Sequence, residues 1–231
     1  MAGEQQRYAH GWWASAYVLD PVEQPPSLPQ FRDLLYAIKG SETGWPVWLW
    51  LPNRVEMLPY LIDDDVIECW LSAIGDDSHA DFWRADRRGR MFMLRGYQED
   101  SDATCSRQGI NAGECLELTI PVWRTGECLL HAERLANRLG AQTVELSMTW
   151  TGLKARELSA FASMRHLRPG RVSAVDRVRT NVQANAATIS DVLPELVKEL
   201  VAPLYSRFDF FEPPDEFYAE ELDRLLDRSK R

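Results

Sequence analysis

The chain has 231 residues, 45% of them apolar and 26% charged, and carries a formal charge of −9 from 26 basic and 35 acidic side chains. This length admits one large domain or two small ones, and the composition excludes an intrinsically disordered chain. Acidity argues against direct nucleic-acid binding, which draws affinity from basic patches, and no apolar run reaches the roughly 18 residues of a membrane helix.

The first residues, Met1 to Arg7, lack the basic start and apolar stretch of a secretion signal, so a cytoplasmic protein is expected. Residues 8–26 read as an irregular Trp/Pro-rich entry segment through Trp12 and Trp13. Ser27 is an N-cap for a helix to about Lys39, with Phe31, Leu34, Leu35 and Ile38 on one face and Gly40 as its stop. Trp45 to Trp50 alternates aromatic and apolar residues like an edge strand. Val66 to Leu71 and Arg90 to Tyr97 read as strands, with the turn Asp86-Arg87-Arg88-Gly89 before the second.

The polar stretch from Glu99 to Glu114 reads as a mobile loop. Cys115 to Val122 reads as a strand, followed by an amphipathic helix over 125–139 with Leu129, Ala132, Leu135, Ala136 and Leu139 as its stripe. Thr143 to Thr151 is the next strand, then a short helical piece around Lys154 to Phe161 and a long strand from Arg171 to Ala184. A helix capped at Ser190 ends at Pro203, and a last one starts near Pro213 and finishes in the charged tail.

The pattern predicts an α+β fold: an antiparallel or mixed sheet of about five strands, with two long helices on one face. One domain over 1–231 is expected. Residues 1–60 form an N-terminal wrap with one helix, 61–185 a sheet core and 186–231 the C-terminal helices.

Nine tryptophans are set along this chain: Trp12, Trp13, Trp45, Trp48, Trp50, Trp70, Trp83, Trp123 and Trp150. Each can bury up to about 250 Å² and seeks a partner for its indole N–H. They imply a large core, a stacking surface, or both. The four cysteines have no C-x-x-C spacing and the histidines form no close pair, so no metal site is expected, and free thiols are expected over a Cys105–Cys115 bridge.

Asp63-Asp64-Asp65 with Glu68 reads as a turn rather than a cation site, because consecutive carboxylates splay apart. Arg95-Gly-Tyr97-Gln-Glu99-Asp100 lies where a strand gives way to a loop, and reads either as a functional cluster or as structural pairing. Thr125 would cap the following helix, with Arg124 close by and Glu127 and His131 one turn apart on one face. No nucleophile elbow, P-loop or dinucleotide fingerprint occurs, and no cofactor is expected.

Seven motifs taken in order carry a resemblance. They are Ser41-Glu-Thr-Gly-Trp45-Pro46, Glu68-Cys-Trp-Leu71, Asp81-Phe-Trp-Arg84, Arg95-Gly-Tyr-Gln-Glu-Asp100, Leu118-Thr-Ile-Pro-Val-Trp-Arg124, Trp150-Thr-Gly-Leu153 and Leu204-Tyr-Ser-Arg-Phe-Asp-Phe-Phe211. Over about residues 8 to 225 the chain resembles C-terminal regions of bacterial transcriptional-regulator-like or ATP-binding proteins. Many of those carry an N-terminal Schlafen/Alba-like putative DNA-binding module, which is not expected here. The resemblance implies a non-catalytic sensor, scaffold or protein-interaction domain, with a protein partner or a homo-oligomer and room for a small-molecule ligand.

As a binding domain, the chain would use Trp45, Trp48, Arg95, Tyr97, Glu99, Trp123, Arg124, Glu127 and His131, and would expose several tryptophans in one patch. As the alternative, a hydrolase or nuclease-like enzyme, it would bring Arg95, Tyr97, Glu99, Arg124, Glu127 and His131 into one cavity. A third reading places nucleic acid on the Arg84–Arg95 face.

Overall fold

The entry segment that the sequence reads as irregular, though with alternating apolar residues to Leu19, forms a regular strand. In the computed structural model, which describes residues 10–40, 42–71, 81–163 and 165–228, strand β1 (Trp12–Asp20) buries Trp13, Ser15, Tyr17 and Leu19 on one face. The start of the chain, Ser41, Met164 and the end of the basic tail lie outside the described residues.

The expected edge wrap is therefore corrected: β1 is an interior strand of a seven-stranded antiparallel sheet. Its other strands are β2 (Tyr60–Asp63), β3 (Val66–Leu71), β4 (Asp81–Asp86), β5 (Arg90–Gly96), β7 (Thr143–Trp150) and β9 (Val178–Asn185). The order is β2-β3-β4-β5-β1-β7-β9, so β1 pairs Trp12 with Gly96 on one side and Trp13 with Trp150 on the other. A two-stranded parallel ribbon joins β6 (Cys115–Glu117) to β8 (Glu157–Ser159). The fold is α+β, with more strands than the five the sequence reading expected.

Five helices are described: α1 (Leu28–Ile38), α2 (Asp102–Gln108), α3 (Ile120–Leu139), α4 (Leu193–Tyr205) and α5 (Asp215–Arg228). α3 and α4 pack on the sheet through β1, β7 and β9, and α5 packs on both helices. The two long helices share one face, as expected.

Their ends moved for identifiable reasons. α3 starts five residues before Thr125, because Glu117 accepts from Thr119 N–H, Thr119 Oγ1 and Ile120 N–H (2.6, 2.7 and 3.2 Å). Pro121, with no N–H to satisfy, then suits the first turn. The strand expected over 115–122 shrinks to β6, and Thr125 becomes a buried helical residue. α4 starts at Leu193, not after Ser190, and runs through Pro203 to Tyr205.

The mobile loop expected from Glu99 is also corrected. Residues 98–100 form a 3-10 turn, Ser101 caps α2 by accepting from Thr104 N–H (3.2 Å), and Gly109 at φ 67° ends the helix. The piece expected to be helical around 154–161 is β8, and the strand expected from Arg171 begins at Val178. Residues 45–50 form no strand. They turn beneath the sheet, where Trp48 donates Nε1–H to Phe92 O (3.1 Å) and Trp83 donates to Leu49 O (2.7 Å).

Candidate functional site

The segment 43–50 is anchored by charged groups from three separated elements. Arg95 on β5 meets Asp81 on β4 through two contacts, Nε to Oδ1 and Nη2 to Oδ2, both 2.6 Å. Register places these residues opposite one another, so the fork is built by strand pairing. Arg95 also donates to Pro46 O (3.0 Å), and Trp45 Nε1 donates to Asp81 (2.8 Å). On α3, Arg124 Nη1 reaches Thr43 Oγ1, Trp45 O and Glu127 at 2.6, 3.1 and 2.9 Å. Thr43 Oγ1 closes the ring to Glu127 (2.6 Å). Arg95, Glu127 and Trp48 are thereby structural members of the interior.

His131 belongs to the core as well. It is fully buried, takes a hydrogen bond between Nδ1 and Tyr17 Oη (2.9 Å), and stacks on Trp48 with ring centroids 4.6 Å apart. Burial first, and the Arg134 charge second, hold its imidazole down at about 3 against an ordinary 6.5. It shares a helix face with Glu127 yet makes no contact that would serve as a base–orienter pair.

Tyr97 is buried too, donating to Thr151 O (2.9 Å) beneath the Arg156 guanidinium, which lies 4.4 Å from its ring centroid. The expected tryptophan patch does not form. Trp13, Trp48 and Trp150 are buried and Trp12, Trp45 and Trp123 half-buried, with strand alternation turning Trp13 and Trp150 inward together.

Three of the nine candidate residues do meet at one cavity. Glu99, Trp123 and Arg124 line a partly open pocket of about 230 Å³, together with Thr43, Gln98, Arg107, Gln108 and Phe161. The missed residues Arg107 and Gln108 sit on α2, within the stretch that the sequence pattern read as a loop. No periodic signal marks so short a polar helix.

Glu99 is the unusual member. Its Oε1 accepts from Glu117 N–H (2.8 Å), while Oε2 is buried with no partner among the described residues. Burial pushes its carboxyl up to about 7, against the pull of the Glu117 N–H and the Arg156 charge. Arg124 is complementary. Burial and the nearby Arg95 pull its guanidinium below the usual range, and its bonds within the described residues all engage Nη1. A cation so placed gains from an added anion.

The two buried groups act oppositely on stability. Neutral His131 contributes stability that is complete above pH 6.5 and is lost as pH falls toward about 3. Glu99, with an ordinary value of 4.5 and a folded value of about 7, contributes stability that is complete below 4.5 and is lost as pH rises through 7. Glu99→Gln is therefore expected to exceed wild type by about 2–3 kcal/mol at alkaline pH, with the difference vanishing by pH 4.5. Urea unfolding across pH checks this; equal alkaline stabilities would contradict a buried carboxylate.

Among the described residues, no group of three or more His, Cys, Asp or Glu side chains is placed to hold a metal. All four cysteines are free thiols, and no described helix is long and apolar enough to cross a membrane. Comparison with protein-family models, curated proteins and solved structures found no match for this chain.

Proposed function

We propose that the chain is a ligand-sensing domain whose cavity at Glu99, Arg107 and Arg124 takes a small anionic molecule, on the order of ten non-hydrogen atoms in size. The observation that carries this reading is Glu99 Oε2, without a partner among the described residues and buried in the wall that also presents Arg124. Protonated Glu99 donates a hydrogen bond to the ligand, the guanidiniums meet its charge, and Trp123 and Phe161 cover its apolar part. The role agrees with the sensor function that the resemblance to bacterial regulator-like proteins implies. A hydrolytic reading fares worse, since Arg95, Glu127 and His131 are engaged elsewhere in the interior.

The test is a panel of small carboxylates and phosphates, followed by calorimetry and thermal melting. A ligand is expected to raise Tm and to change emission in wild type but not in Trp123→Phe. Arg107 is exposed and outside every described ion pair, so Arg107→Ala should leave the apo protein's Tm unchanged. Binding should weaken by about tenfold or more, the size of one charge-assisted hydrogen bond. Affinity should also fall as pH rises through about 7, where Glu99 ionises and repels the anion, and Glu99→Gln should abolish that dependence. A panel that moves neither Tm nor emission, or an Arg107→Ala protein that binds as wild type, would sink the reading.

A further inference from the structure

Arg165, His166, Arg168 and Arg171 crowd positive charge into one short loop of a chain whose formal charge is −9. The loop is pinned to β8 at its far end, where Gly170 N–H donates to Glu157 (2.6 Å) and Arg171 O accepts from Leu158 N–H (2.8 Å). It borders a partly open groove of about 430 Å³, across which stands the start of α5, and Leu118, Leu167, Phe211 and Phe217 supply the apolar lining. Arg165 is already engaged: its guanidinium lies 5.0 Å from the Phe217 ring centroid and pairs with Glu220 and Glu221 at 2.6 and 2.8 Å. Arg171 differs. Its side chain is 19% exposed and its guanidinium lies 4.5 Å from the Phe211 ring centroid. Nη1 alone is bonded, to Asp209 O (3.2 Å), with the Asp209 carboxylate 3.7 Å away. Nε is buried without a partner among the described residues, and Nη2 makes no hydrogen bond there. These two N–H groups form one side of the guanidinium fork, the arrangement that takes a carboxylate through two parallel bonds. Arg168 and Glu216, both exposed, also have no ion pair among the described residues, and Glu216 stands one helical turn before Glu220.

We propose that this groove is a second ligand site, separate from the cavity at Glu99, and that it takes a zwitterion with apolar side chains: a dipeptide with free ends. The charges carry the assignment. Unengaged cations on the loop (Arg168 and Arg171) and an unengaged carboxylate on α5 (Glu216) complement a ligand that bears both signs. A plain anion would meet Glu216 as a like charge, and a plain cation would meet the two arginines. The peptide carboxylate takes the Nε–Nη2 side of Arg171 with Arg168 alongside, and the α-ammonium goes to Glu216. Apolar side chains of the ligand cover Leu118, Phe211 and Phe217. The groove holds on the order of twenty non-hydrogen atoms, the size of an apolar dipeptide and roughly twice that of one amino acid.

Calorimetry of the full chain with phenylalanyl-leucine tests this below about pH 8, where the peptide's α-amino group is protonated. Three relatives of the probe accompany it: the N-acetylated peptide, the C-terminal amide and glycyl-glycine. The free dipeptide is expected to bind, and removing either charge or the apolar side chains should weaken it by about tenfold or more. Glu216→Gln and Arg168→Ala replace exposed side chains outside every described ion pair, so both should melt as wild type does. Glu216→Gln should bind the free and the acetylated peptide alike, and Arg168→Ala should lose affinity for the free dipeptide but not for its amide. Arg107→Ala, altered in the other cavity, should bind the dipeptide as wild type. Four results would each overturn the proposal: no binding at millimolar dipeptide, capped peptides that bind as tightly as the free one, a Glu216→Gln protein that still rejects the acetylated peptide, or loss of binding in Arg107→Ala.

Discussion

Replacing Arg156 by alanine is expected to lower the unfolding free energy by about 3–5 kcal/mol, the cost of breaking a buried ion pair from one side. Arg156 is wholly buried and spends all five N–H donors. Nε bonds Gly152 O (2.8 Å), Nη1 bonds Asp100 Oδ1 and Cys115 O (2.8 and 2.7 Å), and Nη2 bonds His10 O and Asp100 Oδ2 (both 2.6 Å). The entry to β1, the turn before α2, the start of β6 and the turn after β7 all hang on one guanidinium. Alanine would leave a carboxylate and three carbonyls without their partner. Lysine, with three donors and no planar fork, is expected to recover little. Urea unfolding measures both variants, and a loss under about 1 kcal/mol for Arg156→Ala would show that other groups or water satisfy these acceptors.

Asp81→Asn is the second large expectation, again about 3–5 kcal/mol. It would leave the Arg95 guanidinium, 3% exposed, without its counter-charge and weaken the acceptor of the Trp45 indole. Because Arg95 also holds the carbonyls of Trp45 and Pro46, segment 43–50 should loosen and Trp45 emission should shift. Removing both charges together behaves differently, since the desolvation of each ion disappears with its partner. Asp81→Leu combined with Arg95→Met is expected to recover most of the single-variant loss. Additive losses in that double variant would mean the two residues act independently.

The elements with clear local signals were legible in the sequence: the stripe of α3, the face of α1, the presence of α4, and the strands β3, β5 and β7. Periodicity is a short-range property, set by which residues face the core of one element. The α+β class follows from it, and so does the placing of the two long helices on one face. The ends of elements were less legible, because they depend on groups brought from elsewhere, as Glu117 caps α3 and thereby shortens β6.

The candidate site divides along the same line. Arg95, Glu99 and Arg124 were recognisable as a concentration of charge between apolar runs. Whether such a charge faces a cavity or another charge is a long-range question. Asp81 lies 14 residues before Arg95 and reaches it only through the β4–β5 register. Thr43 and Glu127 meet across 84 residues, and Arg107 enters the cavity on a helix that carries no amphipathic signal. Local sequence pattern therefore established which side chains are charged, aromatic or helical, whereas pairing between distant segments sent Arg95, Glu127 and His131 into the interior and left Glu99, Arg107 and Arg124 around a space that a ligand can fill.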